Sequence, residues 1–321
     1  MTAGIGKLAT LRRPHLDWET LGLPAILLIL FVFFSVQAPH FAAVSNYSNV
    51  ARQVAVLALI ASAQTAVILT AGIDLSVGSM VALASVLTAI GLRGGSPALG
   101  MAYALGAGLL VGMVNGLIIG YTRVAPFIVT LGMLSIVSGL ALTISHGDPI
   151  FELPESWFFQ LGTGFVGPVP IPVLVAVVVF LLIWVLLYRT RVGTYVYAVG
   201  GNEQAANLAG IPVARVKLGV YVLSGLCAAI GGVILTARVR SGQPLLGQGL
   251  ELNAVAAVVI GGTSLFGGRG RLLGTIYGVL LVGIVSNGLD LLGISTFIQR
   301  IVIGVATIAA VLLTVLREGG R

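Results

Sequence analysis

The stretch TAGIDLSVGS, Thr70 to Ser79, sets a single carboxylate, Asp74, between two long apolar runs. A carboxylate with hydroxyl and glycine neighbours can cap a helix, fold a tight turn or hold a charge inside a membrane, and each use demands different surroundings. Gln64, Asn115, Ser135 and Asn287 stand in other apolar runs. Amides and hydroxyls in such places bond helix to helix, or offer transient hydrogen bonds to a polar, uncharged solute. Hydrolytic and redox chemistry find no comparable footing. His15, His40 and His146 are scattered without an HExxH spacing, Cys227 has no second cysteine to pair with, and no paired carboxylates fall in mid-run. The only lysines, Lys7 and Lys217, lie outside any G-x-x-x-x-G-K-[ST] phosphate loop, so the chain lacks an ATPase of its own.

The composition says what kind of scaffold must position these residues. Of 321 residues, 58% are hydrophobic, 8% are charged and 44 are glycine, with a mean hydropathy of +1.09. A soluble domain carries about a quarter charged residues, so this is a polytopic membrane protein. A pI near 10.0 and a formal charge of +7 are compatible with a polyanionic partner. The 17 Lys and Arg are dispersed, however, without a basic run or interleaved aromatics. Nucleic acid is therefore set aside, and orientation in lipid accounts for the basic residues.

A hydrocarbon core about 30 Å thick takes about 20 helical residues to cross, and the backbone must satisfy its own hydrogen bonds there. Ten apolar runs qualify: 20–37, 50–70, 76–91, 98–121, 126–145, 172–189, 216–238, 252–265, 271–289 and 297–316. Pro39, Pro97, Pro126, Pro172, Pro212 and Pro244 fall at or near their ends, where a missing N–H costs least. The eighth run is short and ends in Gly261-Gly262, which reads as a half-crossing or a broken helix. The predicted fold is an all-α membrane bundle of about ten transmembrane helices, forming one domain over residues 1–321. The first run reads as an uncleaved span, because Pro39 directly follows Ala38, the small residue at which a signal peptide would be cut. Asn46-Tyr47-Ser48 matches a glycosylation triplet and is taken as chance.

Placing the N-terminus in the cytoplasm puts Lys7, Arg12, Arg13, Arg123, Arg189, Arg191, Arg215, Lys217, Arg269, Arg271, Arg317 and Arg321 inside, against Arg52, Arg93, Arg238, Arg240 and Arg300 outside. This asymmetry predicts that both termini are cytoplasmic. Two polar segments then face opposite sides. The outer one, about 146–171, carries Asp148, Glu152 and Glu155 beside Trp157, Phe158 and Phe159, and reads either as an interfacial loop with aromatic anchors or as a docking surface. The inner one, about 190–215, contains GGNEQAANLAGIP. Glu203 to Leu208 are good helix formers, Gly201 and Asn202 can start and cap the turn, and Gly210 with Pro212 stops it. A short surface helix results, of a kind that fits a groove on another protein.

Three segments carry a resemblance: TAGIDLSVGSMVAL, AVGGNEQAANLAGI and AVVIGGTSLFGGRG. In this order, and across nearly the whole chain, they resemble the permease subunits of bacterial ABC importers for monosaccharides, the ribose, xylose, arabinose and galactose group. The resemblance implies a multi-pass subunit of the bacterial inner membrane. Its implied partners are separate ATPase subunits that bind ATP and magnesium, a second permease copy or a paralogue, and a periplasmic sugar-binding protein. It also implies a coupling helix at Gly200, Gly201, Asn202, Glu203, Ala205, Ala206 and Gly210. The turn at Gly72, Asp74, Leu75, Ser76 and Gly78 becomes a candidate inner gate or ATPase contact. Gln64, Asn115, Ser135 and Asn287 become candidates for the sugar's path.

For Asp74 the residues alone predict a helix cap at the cytoplasmic end of the third span, accepted by Asp74 or Ser76, with Gly72 and Gly78 allowing the tight turn. The rival function is an ion-coupled carrier or channel for a small neutral solute. Such carriers place ionisable groups deep in the membrane, whereas Asp74, Glu251 and Asp290 are each expected near a span end.

Overall fold

The computed structural model describes residues 18–318. Lys7, Arg12, Arg13, His15 and Arg321 lie outside the described residues, so of the segment that bears on a signal peptide only the apolar run and Ala38-Pro39 are described. In chain order the elements are α1 (Trp18–Gln37), α2 (Val44–Leu69), α3 (Val77–Arg93), α4 (Pro97–Tyr121), α5 (Pro126–Ser145), a 3-10 turn (Trp157–Phe159), α6 (Gln160–Thr163), β1 (Phe165–Val166), β2 (Val169–Pro170), α7 (Ile171–Arg189), α8 (Arg191–Gly201), α9 (Glu203–Leu208), α10 (Val213–Val239), α11 (Leu250–Ile260), α12 (Leu272–Leu291) and α13 (Thr296–Glu318). Among these residues, α2, α4, α5, α7, α10 and α12 are long and apolar enough to cross a membrane. Shorter apolar helices cover Gly22–Gln37, Val77–Arg93, Leu250–Ile260 and Thr296–Ala309.

Local chemistry fixes many of the ends. Pro97 and Pro126 open α4 and α5, and Pro172 falls in the first turn of α7, where no N–H is needed. Ser96 caps α4 by accepting from the Leu99 N–H at 3.2 Å. The β1–β2 hairpin marks one end of the bundle and α9 marks the other.

The core is built on α2 and α10, which run antiparallel, so that Gly231 of α10 lies against Val56 and Ile60 of α2. α4 also crosses α10 antiparallel, along a seam of glycines. A Cβ on Gly112 would stand 2.5 Å from the Tyr221 carbonyl oxygen, and one on Gly116 2.7 Å from the Leu218 Cα. Backbone meets backbone there, the close approach that small residues give to helices in lipid. Gly283 of α12 instead admits the Val54 side chain of α2. By contrast α5 and α7 bury a narrow stripe each and expose Ile128, Ile136, Leu181 and Leu182, as lipid-facing helices do.

Two of the expected spans are short helices that begin at mid-bundle. α3 has 17 residues and runs parallel to α10, with the Ser85 hydroxyl 2.7 Å from that of Thr236 and Val81 against Gly232. Its first residue is therefore about level with Ala228, near the middle of α10. The chain climbs to that height from the end of α2 through residues 70–76, which are not helical. The eighth span is broken in the opposite sense. Residues 241–249 descend unwound from the hairpin end, where Gly242 bridges to Ile150, to mid-depth, where a Cβ on Gly247 would overlap the Gly78 carbonyl. Only then does α11 begin, and it has 11 residues ending at Ile260, short of the expected 265. α2 to α5 and α10 to α13 thus repeat one order, a full helix, an unwound stretch, a half helix and two further helices, with opposite sense.

At the hairpin end the expectation for the aromatics is corrected. Phe158 and Phe159 are buried against the helices, and only Trp157 of the three stands exposed. Arg240 pairs with Glu155 at 2.6 Å and covers the Phe159 ring.

Candidate functional site

The three sequence segments that carry the resemblance meet in space at the α9 end. The Gly268 N–H donates to the Leu69 carbonyl at 3.0 Å. A Cβ on Gly200 would overlap that same carbonyl, and one on Gly267 would stand 2.7 Å from the Ala71 nitrogen and 2.9 Å from the Gly200 oxygen. Glycine is required on two of the three segments, at Gly200 and at Gly267, since a side chain at either would force the junction apart. Tyr197 of α8 adds a clamp by donating to the Gly270 carbonyl at 3.0 Å. Burial, and then the Tyr188 hydroxyl, raise the Tyr197 phenol above its ordinary value, so it remains a donor.

α9 projects from this junction. Asn202 caps it by accepting from the Ala205 N–H at 2.9 Å, and Glu203 occupies the first turn, where the helix dipole favours an acid. Lys217 of α10 holds Glu203 at 2.8 Å. Gly200 and Gly201 belong to α8, while Gly210, with φ of +81°, ends the turn after α9. Ala206 is 4% exposed and faces the bundle, whereas Leu208 is 89% exposed. Beside α9 lies a groove of about 870 Å³ lined by Tyr121, Glu203, Asn207, Pro212 and Arg215 among others. The α9 end thus presents an exposed leucine on a short capped helix beside a polar groove, the kind of apolar surface that a partner covers.

Asp74 sits elsewhere than expected. Its Oδ1 accepts from the Ser76 N–H at 2.9 Å and from the Ser76 hydroxyl at 2.6 Å, while Asn115 donates to that hydroxyl at 3.0 Å. This is a turn closed by its own side chain, and it caps no helical N–H: Ser76 is the residue before α3, with φ −74° and ψ −9°, and makes no side-chain cap bond. The helical φ and ψ of Ser76 direct its hydroxyl to Asp74 and Asn115 instead. Thr130 of α5 ties the same turn by donating to the Ile73 carbonyl at 3.0 Å. Tyr221 and Ser224 of α10 face the carboxylate. They lie eight and eleven residues into α10, roughly 12–17 Å from its start at 1.5 Å per residue. Asp74 is 1% exposed. It is therefore set back inside the bundle, not placed at its surface.

Glu251 is also deep, lying over Gly78 and accepting from the Gly249 N–H at 3.2 Å. The expectation that these carboxylates fall near span ends is true along the chain and wrong in depth, because α3 and α11 both begin at mid-bundle. The eighth run, whose shortness and Gly261-Gly262 end read as a half-crossing or a broken helix, forms the 11-residue α11, whereas nothing local in the third run shows that α3 begins at mid-bundle.

The four candidate path residues are not brought together. Asn287 and Asn46 exchange reciprocal bonds of 3.0 and 2.9 Å between α12 and α2, which also buries the residue of the glycosylation triplet. Asn115 serves the Asp74 turn, and Ser135 is exposed on α5 with its hydroxyl on the Leu131 carbonyl. Gln64 is fully buried with neither amide atom partnered among the described residues. Interhelical bonds of this kind average about 0.6 kcal/mol, so they specify contacts more than they stabilise the bundle. Among the described residues no three His, Cys, Asp or Glu gather as metal ligands would.

The comparisons with known proteins agree with a membrane permease. The family model for the permease component of branched-chain amino acid transport systems matches residues 46–311. The ribose import permease protein of Bacillus subtilis (strain 168) is 46% identical over 306 residues, covering 94% of this chain and 95% of that protein. The ribose import permease protein of Escherichia coli (strain K12) is 43% identical over 292 residues, 89% of this chain and 91% of the relative. The D-allose transport system permease protein of the same strain is 38% identical over 304 residues, with 93% and 92% covered. No solved structure matches the chain. With a family match spanning most of its length, and relatives of this identity aligned almost end to end, the chain belongs to that permease family, on the branch of the sugar ABC importers.

Proposed function

We propose that this chain forms the membrane pathway of an ATP-driven importer for a ribose-like pentose or a hexose, with ten crossings and both termini in the cytoplasm. The α9 end is then the cytoplasmic face, which gathers Arg123, Arg189, Arg191, Arg215, Lys217, Arg269 and Arg271, as the positive-inside rule asks. The hairpin end faces a periplasmic sugar-binding protein. A second permease copy or paralogue completes the path, and ATP with magnesium is held by separate ATPase subunits. The observation that carries this reading is α9, a capped helix with Leu208 exposed, whose base is stitched to the end of α2 and to the 261–270 loop. A push on α9 reaches the Asp74 turn through backbone contacts alone, and that turn is the inner gate. The work comes from the ATPase's unequal affinity for the two permease states.

Leu208→Glu tests the docking. Uptake of labelled ribose by the full transporter should fall at least about tenfold, the loss expected when a charge of a few kcal/mol is buried in an apolar contact. Membrane levels should be unchanged, and the ATPase should no longer co-purify. Ala206 is unsuited to this test, because it faces inward and a charge there would unseat α9 itself. Normal uptake by Leu208→Glu, or sugar uptake by this chain alone in liposomes under an ion gradient, would favour the carrier instead.

A further inference from the structure

The second broken crossing carries polar groups that neither the family match nor the docking site uses. Residues 241–249 are unwound over the depth between Ala89 and Gly78 of α3, which is roughly 16 Å at the helical rise. Along this stretch and the first turn of α11, Gln248 is exposed, and Glu251 and Asn253 are partly exposed. Leu245 and Leu252 stand beside them, 51% and 63% exposed. Glu251 is held by the Gly249 N–H, whereas the side chains of Gln248 and Asn253 make no hydrogen bond with any described residue.

Uncoiled backbone and unpaired amides at mid-depth are not tolerated against lipid tails, where each unmade hydrogen bond costs several kcal/mol. They require water or another protein. We infer that residues 243–253 line a water-filled path, and that the Gln248 and Asn253 amides give and take hydrogen bonds with the hydroxyls of a neutral sugar. Leu245 and Leu252 offer apolar surface to the sugar's C–H faces. Glu251 is a positioning residue, fixing the bend between the unwound strand and α11. Gln243 is tied back, donating its side chain to Ser241 and its N–H to Ser85, so the strand hangs from α3 as a fixed wall. The inference rests on the importer reading for the identity of the solute, but not for the presence of water.

The test uses the assembled transporter in membranes, in a Cys227→Ala background. Single variants Gln248→Cys and Asn253→Cys are treated with a charged, water-soluble methanethiosulfonate, with Leu182→Cys on lipid-facing α7 as control. Thiolate forms only where water reaches, so both path positions should react roughly tenfold or more faster than the control. Ribose, allose or arabinose, whichever the transporter takes up, should slow the reaction, and modification should block uptake. Gln248→Leu and Asn253→Leu should raise the half-saturating sugar concentration for uptake several-fold while ATP hydrolysis continues. Labelling no faster than at Leu182→Cys would overturn the wet path and show that a second copy buries the strip. Fast labelling that sugar does not slow, with uptake intact after modification, would overturn the sugar contact. Because labelling is read without transport, either result stands whether or not the importer reading does.

Discussion

Residues 70–76 and residues 241–249 interrupt the bundle alike, each leaving a half helix that starts at mid-depth, yet they are closed by opposite means. The first stretch is sealed from within: Asp74 folds back on Ser76, Asn115 and Thr130 tie it to α4 and α5, and only Ala71 at its α9 end is exposed. The second is held by Gly242 bonded to Ile150 and by Gln243 bonded to Ser85 of α3, and it leaves Gln248 and Leu245 uncovered. One interruption is a joint and the other is a wall. A buried carboxylate therefore does not by itself mark a solute's path in this fold; exposure at depth is the better guide.

The strongest way to break this contrast is to part the two stretches where they touch. Gly78→Leu must displace both the Glu251 carboxylate and the Gly247 carbonyl, which a Cβ at Gly78 would approach to 2.7 Å. Its cost should exceed about 3 kcal/mol, at the upper end for an overfilled core. Fluorescence size-exclusion in mild detergent should show little folded protein, and a normal monodisperse peak would refute the contact. A smaller effect is expected at the sealed joint. Asp74→Ala strands the Ser76 N–H and should cost about 2 kcal/mol, lowering the melting temperature and the transport rate together. Asp74→Asn keeps an oxygen to accept that N–H and should cost under about 1 kcal/mol. Equal and complete loss from both variants would show that the charge itself is needed, and the joint would then have to be reread as an ionic site.

How far the sequence foretold this arrangement depends on which forces acted locally. Helix ends were readable because Pro97 and Pro126 act on their own turns, and α9 was readable because Asn202 and Gly210 bracket it. Depth was not readable. Nothing within TAGIDLSVGS says that α3 will start beside the middle of α10; that follows from Val81 finding Gly232 and Ser85 finding Thr236, partners some 150 residues away (|i−j| = 151 for the latter). Likewise Ala206 and Leu208 look equivalent in a string, and only the packing of α9 on α10 turns one inward. The convergence of the three segments on Leu69, Gly200 and Gly268 left one trace in the sequence, their density of glycine.

The mildest perturbation sharpens the comparison from the outside. Glu203→Gln removes the charge that Lys217 holds at 2.8 Å near the surface, and should change stability by less than about 1 kcal/mol. Uptake at low ionic strength should drop slightly, and the difference from the parent should vanish at high salt as screening removes the pair's contribution. A salt-independent loss would assign Glu203 to the contact with the ATPase rather than to the seat of α9.

The glycine seam between α4 and α10 also bears on how such a machine can move. Interlocked main chains have no rotamers to relax, so these two rods behave as a single stiff lever, with α9 at one tip and Arg240, clasped by Glu155, at the other. A tilt imposed below must reappear above with no slack, and any sliding that lets solute through has to happen along softer boundaries, where leucine and valine still separate the helices.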